Sequence, residues 1–155
     1  MSRAFVKEPD GGEAFEHLPD RPISPHPNLV TPEGLARIAE TLARLHDQNA
    51  RAQVAGDRAA LASTARDLRY WIARRSTAQV MPPPKDTARV QFGSTVTIRR
   101  DDGRRQTFRI VGEDEAEPSR GTLSYASPVA RALLNKPVGD VAQAGSGEVE
   151  IVEIK

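Results

Sequence analysis

"MPPPKDTARVQFGSTVTI" (residues 81–98) is the stretch on which the fold turns, because the period of the chain changes within it. Three successive prolines, Pro82 to Pro84, cannot continue a helix, since each lacks a backbone N–H and its ring clashes with the preceding turn. Beyond them Val90, Phe92, Val96 and Ile98 alternate with polar positions, as a half-buried strand requires. Helices are therefore expected up to residue 81 and a sheet domain over residues 85–155.

Downstream, "DDG" (101–103) reads as a hairpin turn, "QTFRIVG" (106–112) as the returning strand, and "EPSRG" (117–121) as a second turn before "TLSYA" (122–126). Ser127 and Pro128 supply an N-cap and a first helical residue for "VARALLN" (129–135), and "GEVEIVEIK" (147–155) closes as a strand. Leu123, Val129, Ala132 and Leu133 are the expected core around the short helix.

Upstream, "TPEGLARIAETLARLHDQNARAQV" (31–54) opens with Thr31 as N-cap, Pro32 at the first helical position and Glu33 in the first turn. Leu35, Ile38, Leu42 and Leu45 recur at spacings of three and four, continued weakly by Asn49 and Ala52. That is a narrow coiled-coil seam. A second seam, Leu61, Ala65, Leu68 and Ile72, faces it if Gly56 breaks the chain and Asp57 caps the next helix. Residues 31–81 are thus an antiparallel helical hairpin. The fold class is α+β, a helical hairpin followed by a small, mostly antiparallel sheet carrying one short helix.

Residues 1–30 are read as a Pro-rich mobile tail. Prolines at 19, 22, 25 and 27 favour an extended form, and the segment has too little apolar surface to offset its chain entropy. The chain has no cysteine, which excludes disulfides and thiolate metal sites. No apolar run approaches the roughly 20 residues that span a bilayer, so a cytoplasmic protein is expected, with no membrane partner.

The formal net charge of +1 divides unevenly. Residues 1–30 hold three basic and five acidic groups, residues 31–81 eight and five, and residues 85–155 eleven of each. Only the hairpin is basic, and too mildly for a dedicated DNA-binding protein. His17, His26 and His46 have no spacing that suggests a metal site, and no Ser, His and Asp arrangement suggests a nucleophile.

Two longer stretches carry a resemblance. "VQFGSTVTI" (90–98), "FRIVGEDEAE" (108–117), "SPVARALLNKPVGD" (127–140) and "VEIVEI" (149–154) resemble, in order and spacing, the C-terminal domain of the Gre-type bacterial transcript cleavage factors. "PNLVTPEGLARI" (27–38) and "LRYWIAR" (68–74) resemble the two ends of that family's coiled coil. The resemblance implies an FKBP-like C-terminal domain that docks on the rim of the secondary channel of RNA polymerase core enzyme. Nucleic acid is then met only indirectly, by a monomer that is not itself an enzyme and carries no cofactor. Ser124, Tyr125, Ala126, Ser127 and Pro128 match the family surface that meets the polymerase, with Ala126 where some relatives carry Asp or Asn.

In the same family a tip motif Gly-Asp-x-Ser-Glu-Asn presents two carboxylates that help hold a second Mg²⁺. Here the tip runs Gly56, Asp57, Arg58, Ala59, Ala60, Leu61. Ala60 stands at the Glu position and Leu61 at the Asn position. The arm from Thr31 to Gly56 is also shorter than the family pattern by roughly three turns, about 16 Å at the helical pitch. Asp57 is accordingly read as a helix cap rather than a ligand, and the chain as resembling the short-coil relatives that bind polymerase, one of them first named a nucleoside-diphosphate kinase regulator. An active cleavage factor using Asp57 is the alternative.

The remaining readings concern basic and aromatic residues. Arg37, Arg44, Arg51 and Arg58 recur every seven residues, but Glu40–Arg44 and Asp47–Arg51 are ordinary i, i+4 pairs on a solvated face. Arg66, Arg69, Arg74 and Arg75 have only Asp67 among them and are the better candidates for polymerase or RNA contact. Tyr70 and Trp71 are read as packing at the joint between the coil and the C-terminal domain rather than as a polymerase surface. A prolyl isomerase is disfavoured, because Phe92, Phe108 and Tyr125 are too few aromatics for a proline pocket in residues 85–155, and fold alone does not license the activity.

Overall fold

The structure is a computed structural model that describes residues 18–155. The expectations placed on His17 and on the tail over residues 1–17 lie outside the described residues. The described residues divide into two compact units, one of helices (residues 18–25 and 37–77) and one built on a sheet (residues 26–36 and 78–155).

The helices are α1, Pro32–Ala55, and α2, Arg58–Thr77. Thr31 caps α1 as its residue type demands: its hydroxyl accepts the Gly34 N–H at 3.0 Å, and its carbonyl accepts the Leu35 N–H at 3.0 Å. Ile38, Leu42, Leu45 and Ala52 are buried, so the first seam is the one the spacing gives. The second seam differs. Ile72 is 51% exposed, Leu61, Ala65 and Leu68 are half-buried, and the buried positions of α2 are Thr64 and Arg74. Thr64 can sit there because its hydroxyl donates to the Ala60 carbonyl at 2.8 Å and accepts from Asn49 Nδ2 at 2.8 Å. A polar cross-helix pair thus occupies a place that apolar periodicity alone gives to aliphatic side chains.

The tail expectation also needs correction, since residues 18–30 are held in place. Asp20 pairs with Arg69 at 2.5 Å, and the Leu18 carbonyl accepts from Arg69 Nη2 at 3.3 Å. Arg21 lies 3.9 Å above the Tyr70 ring, 5.8 Å from that of Trp71, and 3.4 Å from the Asp67 carboxylate. A segment too polar to build a core of its own is fixed instead by a guanidinium that meets aromatic faces and a carboxylate together. Further along, Asn28 and Val30 are buried.

In the sheet unit, β1 (Leu29–Val30) and β2 (Gln79–Val80) form a two-stranded parallel ladder, two strands too short to show a period in the sequence. The main sheet contains β3 (Thr95–Arg100), β4 (Arg105–Val111), β5 (Thr122–Ser124), β6 (Val141–Ala144) and β7 (Gly147–Ile154), in the order β5-β4-β3-β7-β6. Its pairings are antiparallel except β4 with β5, which run parallel, so the sheet is mostly antiparallel, as expected, with one parallel pairing. The strand expected from Val90 starts only at Thr95. Val90 is buried but exchanges backbone hydrogen bonds with Asn135 and Lys136, and a turn at Phe92–Gly93 precedes the strand. The short β6 was not foreseen.

Ser127 caps α3 (Pro128–Leu133), accepting the Ala130 N–H at 3.3 Å. Ala130 and Leu133 of α3 join Val96, Ile98, Phe108, Ile110, Val149 and Ile151 in one core, with Leu123, Val129 and Ala132 packed against it. Truncating any of its large aliphatic members to alanine costs about 2–5 kcal/mol.

Candidate functional site

The segment Ser124–Pro128 joins β5 to α3, and its own hydrogen bonds fix its shape. The Tyr125 N–H donates to the Val111 carbonyl at 2.9 Å, and the Ser127 N–H to the Ser124 carbonyl at 3.0 Å. The Ser124 hydroxyl accepts the Ala126 N–H at 3.1 Å. The Tyr125 ring stands edge to face on Phe92 at 5.7 Å, and its hydroxyl donates to the Pro27 carbonyl. Ser124, Tyr125, Ala126 and Ser127 are half-buried and Pro128 is exposed. The five residues predicted as a binding surface are therefore contiguous, partly accessible and rigidly held, which suits a protein contact. Phe108 lies in the core against which Tyr125 packs.

The hairpin tip is closed by backbone geometry. Gly56 adopts φ +65°, the left-handed conformation that glycine takes without strain, and the Asp57 N–H returns to the Ala52 carbonyl at 3.0 Å. Asp57 accepts the Ala60 N–H at 3.1 Å, so its carboxylate serves as the N-cap of α2. Gly56, Asp57 and Arg58 are all exposed. Among the described residues, no three His, Asp or Glu side chains come together in a way that could hold a metal ion.

The four arginines of α2 singled out as contact candidates, Arg66, Arg69, Arg74 and Arg75, separate into different roles. Arg74 is 2% exposed, so its guanidinium is buried rather than displayed at the surface. Arg69 is engaged with Asp20 and the Leu18 carbonyl, and Arg66 lies 3.9 Å from Asp67. Arg75, in the last turn, is exposed. The proposed basic surface on α2 thus loses Arg74 outright, because charge spacing along a helix carries no information about which turn is covered. Tyr70 and Trp71 meet edge to face at 5.1 Å, and Arg21, which nothing in the sequence singled out, covers both.

Around the start of α1 a second polar group assembles. Glu115, in a 3₁₀ turn at Glu113–Glu115, accepts the backbone N–H groups of Thr31 at 2.9 Å and of Gly112 at 3.1 Å, and the Thr31 hydroxyl donates to it. Glu33 lies 3.6 Å from Arg109. A hydrogen bond from its own backbone N–H, then one from Thr31, then the Arg109 charge hold the Glu33 carboxyl below its ordinary range. Among the described residues no helix is long and apolar enough to cross a membrane.

The family model described as "Transcription elongation factor, GreA/GreB, C-term" matches residues 85–155. A transcription elongation factor GreA of Maricaulis maris is 36% identical over 120 residues, covering 74% of this chain and 74% of that protein. The GreA of Alkalilimnicola ehrlichii is 45% identical over 87 residues, covering 52% of this chain and 55% of the relative. A GreB of Neisseria meningitidis is 38% identical over 96 residues, covering 58% and 59%. The matches thus span little more than half the length of the Alkalilimnicola and Neisseria relatives. Among solved structures, GreA factor homolog 1 of Thermus thermophilus aligns with 82% of this chain and 97% of its own, at 22% identity and a TM-score of 0.40.

Proposed function

The chain belongs to the GreA/GreB family of transcription elongation factors, and from that premise we propose that it binds RNA polymerase core enzyme at the rim of the secondary channel without stimulating transcript cleavage. The Ser124–Pro128 turn is the contact surface in this reading, and the helical hairpin occupies the channel entrance. There it competes with longer factors or modulates elongation.

One observation carries the non-cleaving half of the proposal: the tip's lone carboxylate, Asp57, is held by the Ala60 N–H at 3.1 Å, at the very position where the family pattern has its second acid. Mg²⁺ takes hard oxygen ligands and retains much of its water, so a single capping carboxylate contributes little to recruiting a weakly held ion. Arg58 and Ala59 flank it with no further acid.

The test is a pull-down of core RNA polymerase on the full chain, with and without a competing cleavage factor. Binding is expected, with displacement by the competitor, and Ala126→Arg with Pro128→Glu should weaken it at least tenfold. Failure to bind, or binding indifferent to both changes, contradicts the assignment.

A further inference from the structure

The β3–β4 hairpin ends in Arg99, Arg100, Asp101, Asp102, Gly103, Arg104 and Arg105. Two open grooves flank this end, and their linings differ in charge. One is lined by Arg99 and Arg100 together with Asp101, Glu148 and Glu150, and within it Arg99 already pairs with Glu150. The other, of about 490 Å³, is lined by Arg100, Arg104, Arg105 and Gln106. It has three guanidiniums, no carboxylate and no apolar residue in its lining.

Arg100 and Arg104 are pre-positioned. Arg100 Nε donates to Gln106 Oε1 at 2.9 Å, and Arg104 Nε to Asp102 Oδ2 at 2.6 Å. Asp102 in turn accepts the Arg104 backbone N–H at 2.9 Å, and chiefly for that reason its carboxyl is held below the ordinary range. Each Nε bond orients the plane of its guanidinium without using the two outer nitrogens in that bond. Arg105 is exposed and has no side-chain partner among the described residues.

We propose that this groove binds the phosphodiester backbone of nucleic acid, without reading its sequence. Guanidinium forks match phosphate oxygens in pairs. No aromatic side chain lines the groove to stack a base, so contact stops at the backbone. An acidic protein surface is the less suitable occupant, because a protein interface needs an apolar, well-packed centre that this lining lacks. The neutrality of residues 85–155 conceals the site by segregation: residues 99–105 hold four arginines and two aspartates, whereas residues 113–117 hold four acids and no base. On this proposal nucleic acid is met directly, where the family resemblance implies only indirect contact, and the inference stands apart from polymerase binding.

Fluorescence anisotropy of the full chain with a short labelled single-stranded RNA tests it. Three phosphate contacts give a slope near −2 in log affinity against log salt, so affinity should fall roughly 20-fold between about 50 and about 200 mM salt. Arg104→Glu with Arg105→Glu should cut binding at least tenfold at the lower salt, whereas Arg37→Glu with Arg44→Glu, the same charge change on α1, should alter it less than twofold. Changing the base sequence should have no effect. Absence of RNA binding, equal loss in both double variants, or equally tight binding of polyglutamate would each overturn the proposal; circular dichroism confirms that the variants keep their fold.

Discussion

Glu115 accepts the backbone N–H of Thr31 at 2.9 Å across a sequence separation of 84 residues, and so completes from afar the cap of a helix it does not belong to. In an ordinary capping box the third helical residue, a Glu or Gln, reaches back to the N-cap N–H. Here that residue is Gly34, whose N–H goes to the Thr31 hydroxyl at 3.0 Å, and a Cβ built on it would lie 2.1 Å from the Glu115 carboxyl carbon. The missing side chain is the space the distant carboxylate occupies. Glu115→Ala should destabilise the chain by about 1–3 kcal/mol, because it orphans the Thr31 and Gly112 N–H groups. Gly34→Ala should also destabilise, against the gain of about 1 kcal/mol that alanine normally brings inside a helix. Gly34→Glu combined with Glu115→Ala rebuilds the cap locally and should recover part of the loss, measured by urea denaturation.

Gly112 makes a harsher prediction. A Cβ there would lie 2.3 Å from the Leu29 carbonyl oxygen, a backbone atom that cannot rotate away. Gly112→Ala must therefore shift the β1–β2 ladder, whose hydrogen bonds include the Gln79 N–H to the Asn28 carbonyl at 2.8 Å. Faster amide exchange at Gln79 and Met81 is the expected readout. Unchanged protection at both would contradict it.

What the sequence made legible follows period and punctuation. Thr31 and Ser127 as caps and the Asp101–Gly103 turn depend on contacts within a few residues, and the first seam and the β4 and β7 strands carry their own apolar period, although β7 pairs with the distant β3. The parallel pairing of β5 with β4, the two-residue strands β1 and β2, and Glu115 on Thr31 depend on contacts between distant residues, and no spacing announces them. At the candidate sites the same division holds. Asp57 as a cap was readable because its partner is Ala60, whereas the burial of Arg74 and the attachment of Arg21 to Tyr70 were not.

The Asn49–Thr64 bond is the polar element of the helical seam. Thr64 retains its bond to the Ala60 carbonyl when Asn49 is lost, so no buried hydroxyl is orphaned. Asn49→Ala should then cost only about 0.5–1.5 kcal/mol, and Asn49→Leu less, since an apolar side chain restores the packing. A loss above about 3 kcal/mol in urea melts would mean that the pair is part of a larger buried network.

Acid sensitivity should trace in part to Glu33. Its folded-state pKa is lowered below the ordinary value of 4.5, so the group binds protons more readily in the unfolded chain. The resulting stabilisation is fully present above about pH 4.5 and is lost as pH falls through the lowered folded value. The side chain is exposed, so the effect is small and its Arg109 part is screened by salt. Glu33→Gln should melt at a lower temperature than the parent at pH 7 and show a smaller drop between pH 5 and pH 3. An identical pH profile in the two proteins would exclude Glu33 as a contributor.

The last prediction concerns cleavage. Ala60 and the length of the arm act on different requirements: the first removes a metal ligand, and the second determines where any ligand can be placed. The α1 helix of 24 residues is about 36 Å long at 1.5 Å per residue. On the non-cleaving proposal, restoring an acid by Ala60→Glu supplies the ligand without supplying the reach, and catalysis depends on holding ligands within ångströms of the ion. The substitution also leaves the Ala60 backbone N–H in place, so Asp57 stays committed as a cap. RNA shortening in stalled, backtracked elongation complexes should be absent with the parent chain and with Ala60→Glu, and should emerge only when whole turns are added to both helices together with an acidic tip. Robust cleavage by the parent would refute the non-cleaving proposal. Cleavage with Ala60→Glu alone would refute the argument from length while upholding the argument from the missing ligand.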